Sequence, residues 1–249
     1  SSFAQNEGNI WYFGQNAGLD FNSGAPIALT NGQLVTQEGC ASISDNNGDL
    51  LFYTDGMTVY NKNHTIMPNG LGLLGHSSST QSSIIVKKPA SSTIYYIFTV
   101  DGMTGNGGGL NYSEVDMTLD GGLGDINANK NINLIPFTCE KVTAVIHQNG
   151  FDFWIISPEL NTNIIYSFLL TSSGLSLPPI QTNAVSPVDG VGYLRGSSDG
   201  ERIAIVNSFI PNVELYEFDN STGILIFQLM IPGNNGPYGV EFSPNSSVL

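Results

Sequence analysis

One pattern limits this chain more than any other: a short strand, a polar turn and a strongly apolar strand recur along its length. The apolar members are residues 50–54 (LLFYT), 94–100 (IYYIFTV), 151–156 (FDFWII) and 203–206 (IAIV). Each is short, rich in β-branched and aromatic residues, and bounded by turn formers, which predicts strand and not helix. Runs that are nearly unbroken in apolar residues suit strands covered on both faces. The turns before them are 46–49 (NNGD), 90–93 (ASST), 148–150 (QNG) and 198–201 (SDGE). Asn and Asp tolerate positive φ and Gly adopts it freely, so these read as hairpin turns. A further short strand is expected before each turn, at 41–44, 83–87, 143–147 and 194–197. A third is expected after each apolar run, at 58–61, 110–117, 163–170 and 212–218.

The turn markers Gly48, Ser92, Gly150, Gly200 and Ser246 are 44, 58, 50 and 46 residues apart. Periods near ~40–50 residues built from antiparallel strands indicate propeller blades. One sheet cannot bury both of its faces alone, whereas stacked neighbours can. The expected fold is therefore an all-β propeller of four-stranded antiparallel blades, one domain over residues 1–249. Four blades are expected to be largely complete, and a fifth to begin at Tyr238 (YGVEFSPNSS). A pair of β-sandwiches is the alternative. The segment Ile10 to Gly14 (IWYFG) has no matching turn before it. It is expected to lack the later strands with which it would pair, so the chain reads as an incomplete, N-terminal fragment of a longer propeller.

Composition narrows the partners. Charged residues make up 11% of the chain and the net charge is −14. Binding to phosphate backbones needs clustered Lys and Arg, so nucleic acid is excluded, as is docking on anionic lipid. No run of apolar residues is long enough for a spanning helix, so membrane insertion by this region is not expected. The opening Ser1-Ser2-Phe3-Ala4-Gln5 reads as the tail of a cleaved signal peptide, which points to a secreted or cell-surface protein. Cys40 and Cys139 form no C-x-x-C pair, and two separate thiols are preferred over a disulfide.

The turns at 198–200 (SDG) and 243–245 (SPN) resemble those of lactonase-type propellers. Eight segments in order carry a further resemblance: 9–14 (NIWYFG), 38–45 (EGCASISD), 51–56 (LFYTDG), 75–83 (GHSSSTQSS), 94–101 (IYYIFTVD), 115–124 (VDMTLDGGLG), 141–147 (KVTAVIH) and 238–244 (YGVEFSP). The series resembles the N-terminal region of large Bacteroidetes surface proteins. Those proteins end in a gliding-motility-associated, type B sorting domain for type IX secretion. The resemblance implies export and a role in adhesion or gliding, with a surface glycan or protein as partner. It brings no catalytic residues with it.

Three sets of residues are candidates for chemistry. Innermost strands are expected to begin near Glu38, Gln81, Glu140 and Tyr238, which would gather at one end of a central channel as a ligand ring or else cap strand ends. Asp116, Asp120, Asp125, Asn127 and Asn129 form an oxygen-rich loop, with plain turn formation preferred over calcium binding, since EF-hand spacing is absent. Asp45 to Asp49 reads as a hairpin turn. His64, His76 and His147 fall in different repeats without zinc spacing. Gly75-His76-Ser77-Ser78-Ser79 lacks the final glycine of a nucleophile elbow.

The leading functional expectation is thus a non-catalytic surface module for adhesion or for protein or glycan binding, with no resident cofactor. The alternatives are a propeller enzyme, lactonase-like or glycan-cleaving, and a structural spacer.

Overall fold

The computed structural model describes residues 6–103, 108–233 and 235–249. They form five antiparallel sheets in chain order. The first contains Ile10–Phe13, Ala17–Asp20 and Ile27–Leu29. The second contains Ala41–Ser44, Leu50–Thr54, Thr58–Asn61 and Ile66–Leu71. The third runs Ser83–Lys87, Ile94–Val100 and Leu110–Asp116, with its outer place shared by Asp125–Ile126 and Ile132–Ile135. The fourth runs Thr143–Ile146, Phe153–Pro158 and Ile164–Thr171, its outer place shared by Gly174–Leu175 and Ile180–Asn183. The fifth contains Leu194–Gly196, Arg202–Asn207, Asn212–Asp219 and Ile224–Pro232. Among the described residues the only helices are two short 3₁₀ turns, and none is long and apolar enough to cross a membrane.

The apolar second strands explain why the sheets stack. Side chains alternate across a strand, so a strand sandwiched between two neighbours must be apolar at every position. In Ile94–Val100, Tyr95 and Ile97 pack with Phe52, Val59 and Met67 of the second sheet. Tyr96, Phe98 and Val100 of the same strand pack with Ile155, Phe168 and Leu170 of the fourth. Trp154 and Ile156 then turn the other way, onto Ile203, Ile205 and Tyr216 of the fifth sheet. Five sheets thus share four cores, each fed by alternate residues of one strand. The hairpin turns behave as their residues require. Gly48 lies at φ +91°, and Asp45 Oδ1 accepts the backbone N–H groups of Asn47 and Asp49 at 2.8 and 3.0 Å.

Two expectations are corrected. Ile10–Phe13 is not an orphan: it forms a hairpin with Ala17–Asp20, Phe13 opposite Ala17. Gly14 and Asn16 make the turn at φ +58° and +59°. The sheet then packs on the second one through Tyr12, stacked 4.6 Å from Tyr53. Proximity to a three-residue turn decided this, because a local hairpin costs little loop entropy. The segment from Tyr238 to Pro244 forms no strand. It runs beside Leu194–Gly196 in the same direction, held by Tyr193 N–H to Tyr238 O (2.9 Å), Arg195 to Glu241 (3.2 Å) and Asp199 N–H to Ser246 Oγ (3.1 Å).

The fifth sheet leaves apolar surface uncovered. Ile224, Ile226, Phe227, Leu229, Met230 and Ile231 of its outer strand are all exposed. Exposed apolar strands template association. The 249-residue chain is therefore expected to self-associate in light scattering, and the double variant Ile226→Lys/Leu229→Lys to be monodisperse. A monomeric parent would show that this strand is not adhesive.

Candidate functional site at the mouth of the inner strands

Inner strands of successive sheets touch one another, and the segments leading into them are joined by backbone hydrogen bonds. Gln37 and Gly39 N–H donate to Ser77 and Ser79 O at 3.2 and 3.0 Å, and Gln81 N–H donates to Glu140 O at 3.1 Å. Glu140 N–H in turn donates to Gly190 O at 2.8 Å, and Tyr193 N–H to Tyr238 O. These lead-ins form a continuous rim at one end of the sheets. The turns that follow each second strand lie at the same end: Asp55 O accepts from Ser82 Oγ at 2.7 Å, and Met103 N–H donates to Glu140 Oε1 at 2.7 Å.

Three of the four expected ring residues meet around one the sequence reading missed, Thr80. Glu140 is buried, and its Oε2 accepts from both Thr80 N–H (2.9 Å) and Thr80 Oγ1 (3.0 Å). The Tyr238 hydroxyl lies 3.1 Å from Thr80 Oγ1, and the exposed Glu38 carboxylate sits against the same phenol. The register explains this grouping. Glu38, Thr80 and Glu140 each stand three residues before their inner strands, which start at Ala41, Ser83 and Thr143. Gln81 is one residue later, and in strand register one residue reverses direction. Its buried amide instead spans to the fifth sheet, accepting Leu194 N–H at 2.8 Å and donating to Leu194 O at 3.2 Å. Gln81 thus ties inner strands together, and the residue that meets both Glu140 and Tyr238 is Thr80.

Proton counting fixes the direction of the cluster. Thr80 has one hydroxyl proton, and an ionised Glu140 only accepts, so Thr80 donates to Glu140. The free lone pairs of Thr80 Oγ1 then face the Tyr238 hydroxyl and Gly192 N–H. Burial pushes the Tyr238 phenol up to about 12, with the Glu38 and Glu140 charges adding to it and the Thr80 contact opposing. Tyr238 therefore stays protonated at neutral pH. Its single proton serves Thr80 or Glu38 but not both, so Glu38 keeps lone pairs open to solvent.

Beside this cluster lies a buried ion pair. Lys141 is fully buried, with Nζ 3.3 Å from Asp189 Oδ1 and 2.5 Å from Asp189 O. Burial lowers the Lys141 ammonium from its ordinary range, against the pull of Cys139 and Asp189. Asp189 also accepts the N–H groups of Val191 and Phe209 at 3.1 and 2.7 Å. The pair pins the fourth lead-in to the fifth sheet. Removing one partner of a buried pair strands the other charge, so Lys141→Met is expected to lower stability by ~3–5 kcal/mol in urea unfolding. A change under ~1 kcal/mol would show that the backbone donors alone satisfy Asp189.

The remaining candidates are placed elsewhere. His76 lies at the rim end, but its Nδ1 accepts Ser78 N–H at 3.1 Å, so in the neutral ring the proton sits on Nε2, and the ring is not set to take a serine proton. His64 is at φ +61° in the turn of the second sheet, between Tyr53 and Asn31. His147 accepts Asn149 N–H at 3.0 Å and stacks on Trp154. The oxygen-rich loop is dispersed into separate bonds. Asp116 closes its own turn on Thr118, and Asp120 lies at φ +48° in a 3₁₀ turn. Asp125 grips Asn69 of the second sheet at 2.8 and 2.7 Å, Asn127 donates to Glu114 at 3.0 Å, and Asn129 N–H bonds Asn127. Among the described residues no group of three or more His, Cys, Asp or Glu could hold a metal. Cys40 and Cys139 are separate thiols, pushed by burial up to about 11 and about 12.

No family model matches the chain, and no curated protein matches it either. Solved structures do. A proposed 6-phosphogluconolactonase of Bacteroides fragilis superposes with TM-score 0.56 at 12% identity, over 96% of this chain and 72% of that one. One of Bacteroides uniformis gives TM-score 0.53 at 13% identity, over 92% and 68%. The periplasmic gluconolactonase of Pseudomonas aeruginosa gives 0.53 at 12% identity, over 92% and 67%. The chain is a β-propeller. These three neighbours in fold are lactonases or proposed lactonases by name, which runs against the leading expectation of a non-catalytic adhesion module.

Proposed function

We propose that this propeller is a lactonase-type hydrolase that opens a cyclic sugar ester at the rim around Glu38 and Tyr238. The observation that supports the reading most is the exposed Glu38 carboxylate against a Tyr238 phenol whose proton has a second acceptor in Thr80. In the proposed step Glu38 takes a proton from water as the water oxygen attacks the lactone carbonyl carbon. The acyl C–O bond then breaks, and the ring oxygen leaves with the proton held by Glu38, giving a hydroxy acid. General bases of this kind contribute typically ~10²–10⁴-fold. Tyr238, 40% exposed, orients Glu38 and offers a ring face to the sugar.

Glycosidic cleavage is the weaker enzymatic reading. It needs one of two carboxyls to act as a proton donor. Glu140 is not placed to serve, because both its oxygens are already taken by the N–H and O–H donors of Thr80 and Met103.

Export belongs to the same reading. The low charge supports it, as does the periplasmic location in the name of the Pseudomonas neighbour. Fractionation that finds the protein in the host cytoplasm would refute export.

Lactonase activity is tested by adding the purified chain to D-glucono-1,5-lactone in a pH-stat. Acid release well above the spontaneous rate, proportional to protein, is the expected result. No acceleration with this or other aldonolactones would reject the assignment.

A further inference from the structure

We infer that this mouth accepts an uncharged lactone and rejects a phosphorylated one, an inference that rests on the lactonase reading above. The sign of the rim carries it. A sugar phosphate brings about two negative charges, and sites that take it present Arg, Lys or a set of free backbone N–H groups. This chain has only seven Lys and Arg in all, and the fold sends them away from the rim or commits them.

Inner strands run from the rim to the hairpin turns at the far end. Lys87 ends Ser83–Lys87 and Lys88 begins the following turn. At ~3.3 Å per residue, five residues of strand place them roughly 17 Å from the lead-in. Arg202 starts its strand at the same far end and is held by Ser246 O and Asp199. Lys62 lies in the turn after Thr58–Asn61, again at the far end. Lys130 is at the outer edge, donating to Asn69 and Leu71 O. Arg195 is paired with Glu241 at 3.2 Å and lies over the Tyr193 ring. Lys141 and Arg195 alone stand at the rim end, Lys141 fully buried on Asp189 and Arg195 committed to Glu241.

Acids occupy the same end in number. Glu38 is exposed, Glu140 lies beneath Thr80, and Asp55 and Asp101 sit in the turns after the second strands. Their backbone donors are spent on those carboxylates: Met57 and Thr58 N–H on Asp55, Gly102 and Gly108 N–H on Asp101, and Met103 N–H on Glu140. A phosphate at this mouth would therefore meet like charge and, among the described residues, no free cation. Clefts of one sign change local ligand concentration by ~10–10³-fold. Here the effect acts against the dianion.

The test compares kcat/KM for D-glucono-1,5-lactone and its 6-phosphate, at low and at moderate ionic strength. The neutral lactone is expected to be preferred by about 100-fold at low salt. Salt should narrow the gap by raising only the phosphorylated rate, since screening acts on charged ligands alone. Equal or greater activity on the phosphorylated lactone would overturn the inference and leave the lactonase reading standing. A gap that salt does not change would overturn the charge argument. Hydrolysis of neither lactone would overturn the lactonase reading and this inference with it.

Discussion

Glu38→Gln is expected to lower kcat for a sugar lactone by ~10²–10⁴-fold while leaving the unfolding midpoint in urea unchanged, because the amide keeps the shape and loses the base. Glu38 is exposed and makes no bond that the fold requires, so a stability change is not expected. Tyr238→Phe should act differently. It removes the hydroxyl that touches Thr80 and keeps the ring that faces solvent. If the phenol orients Glu38, kcat falls by a smaller factor, roughly 10-fold, and KM changes little. If the hydroxyl itself held substrate, KM would rise at nearly constant kcat. Thr80→Val removes a buried hydroxyl that serves both Glu140 and Tyr238, so it should cost ~1–3 kcal/mol of stability as well as activity. Full activity in Glu38→Gln would exclude this carboxylate as the base. Comparing the three variants separates a catalytic rim from one that only seals strand ends.

The first three strands of the second to fifth sheets could be read from the sequence because each second strand is apolar on both sides, whereas the outer strands, such as Ile66–Leu71 and Ile224–Pro232, carried no repeated signal. Leu50–Thr54 and Ile94–Val100 match the sequence reading residue for residue. The reading that failed at Ile10–Phe13 sought a partner far along the chain, when Gly14 and Asn16 offered one within three residues. It failed at Tyr238 because YGVEFSP has the composition of an inner strand. A strand also needs a neighbour on its other edge, and among the described residues only Leu194–Gly196 lies alongside. At the rim, Glu38 and Glu140 were visible as acids at equal distance from their strands. Thr80 is not singled out by the sequence, because the SSSTQSS run gives no local sign of where the strand begins. A single step along it separates the Gln81 side chain tying Leu194 from the Thr80 side chain bonded to Glu140. The ion pair of Lys141 and Asp189 joins residues 48 apart in sequence and had no local signature.

At alkaline pH the protein is expected to unfold steeply, with its tyrosines ionising together and not one by one. The phenols of Tyr12, Tyr53, Tyr60, Tyr95, Tyr96, Tyr112, Tyr166, Tyr216 and Tyr238 are all held above their ordinary value of 10.0, and burial is the first cause in each. Tyr53, pushed up to about 12, lies wholly inside the first core between Tyr12 and Tyr60. Tyr216 is buried on the Glu214 carboxylate, whose charge raises it further. The sign follows from proton counting. Above pH 10 the unfolded chain releases phenolic protons while the folded chain retains them, so the folded state binds more protons and stability falls as pH rises. Below pH 10 both states are protonated and these groups contribute no pH dependence. Between 10 and its folded pKa, each wholly buried tyrosine among them adds about 1.4 kcal/mol per pH unit to the slope, and the partly exposed ones such as Tyr238 add less. Several acting together can remove a domain's stability of ~5–15 kcal/mol within one or two pH units. Lys141 acts in the opposite direction, since its lowered folded pKa makes stability rise as pH climbs towards the ordinary lysine value. One lysine against nine tyrosines cannot reverse the trend. The measurement is a spectrophotometric titration of phenolate absorbance beside far-ultraviolet circular dichroism. One shared transition above pH 10 is expected, and Tyr53→Phe should shift it upward. Gradual ionisation near pH 10 with the sheets intact would mean that the phenols are far more open to water than their packing indicates.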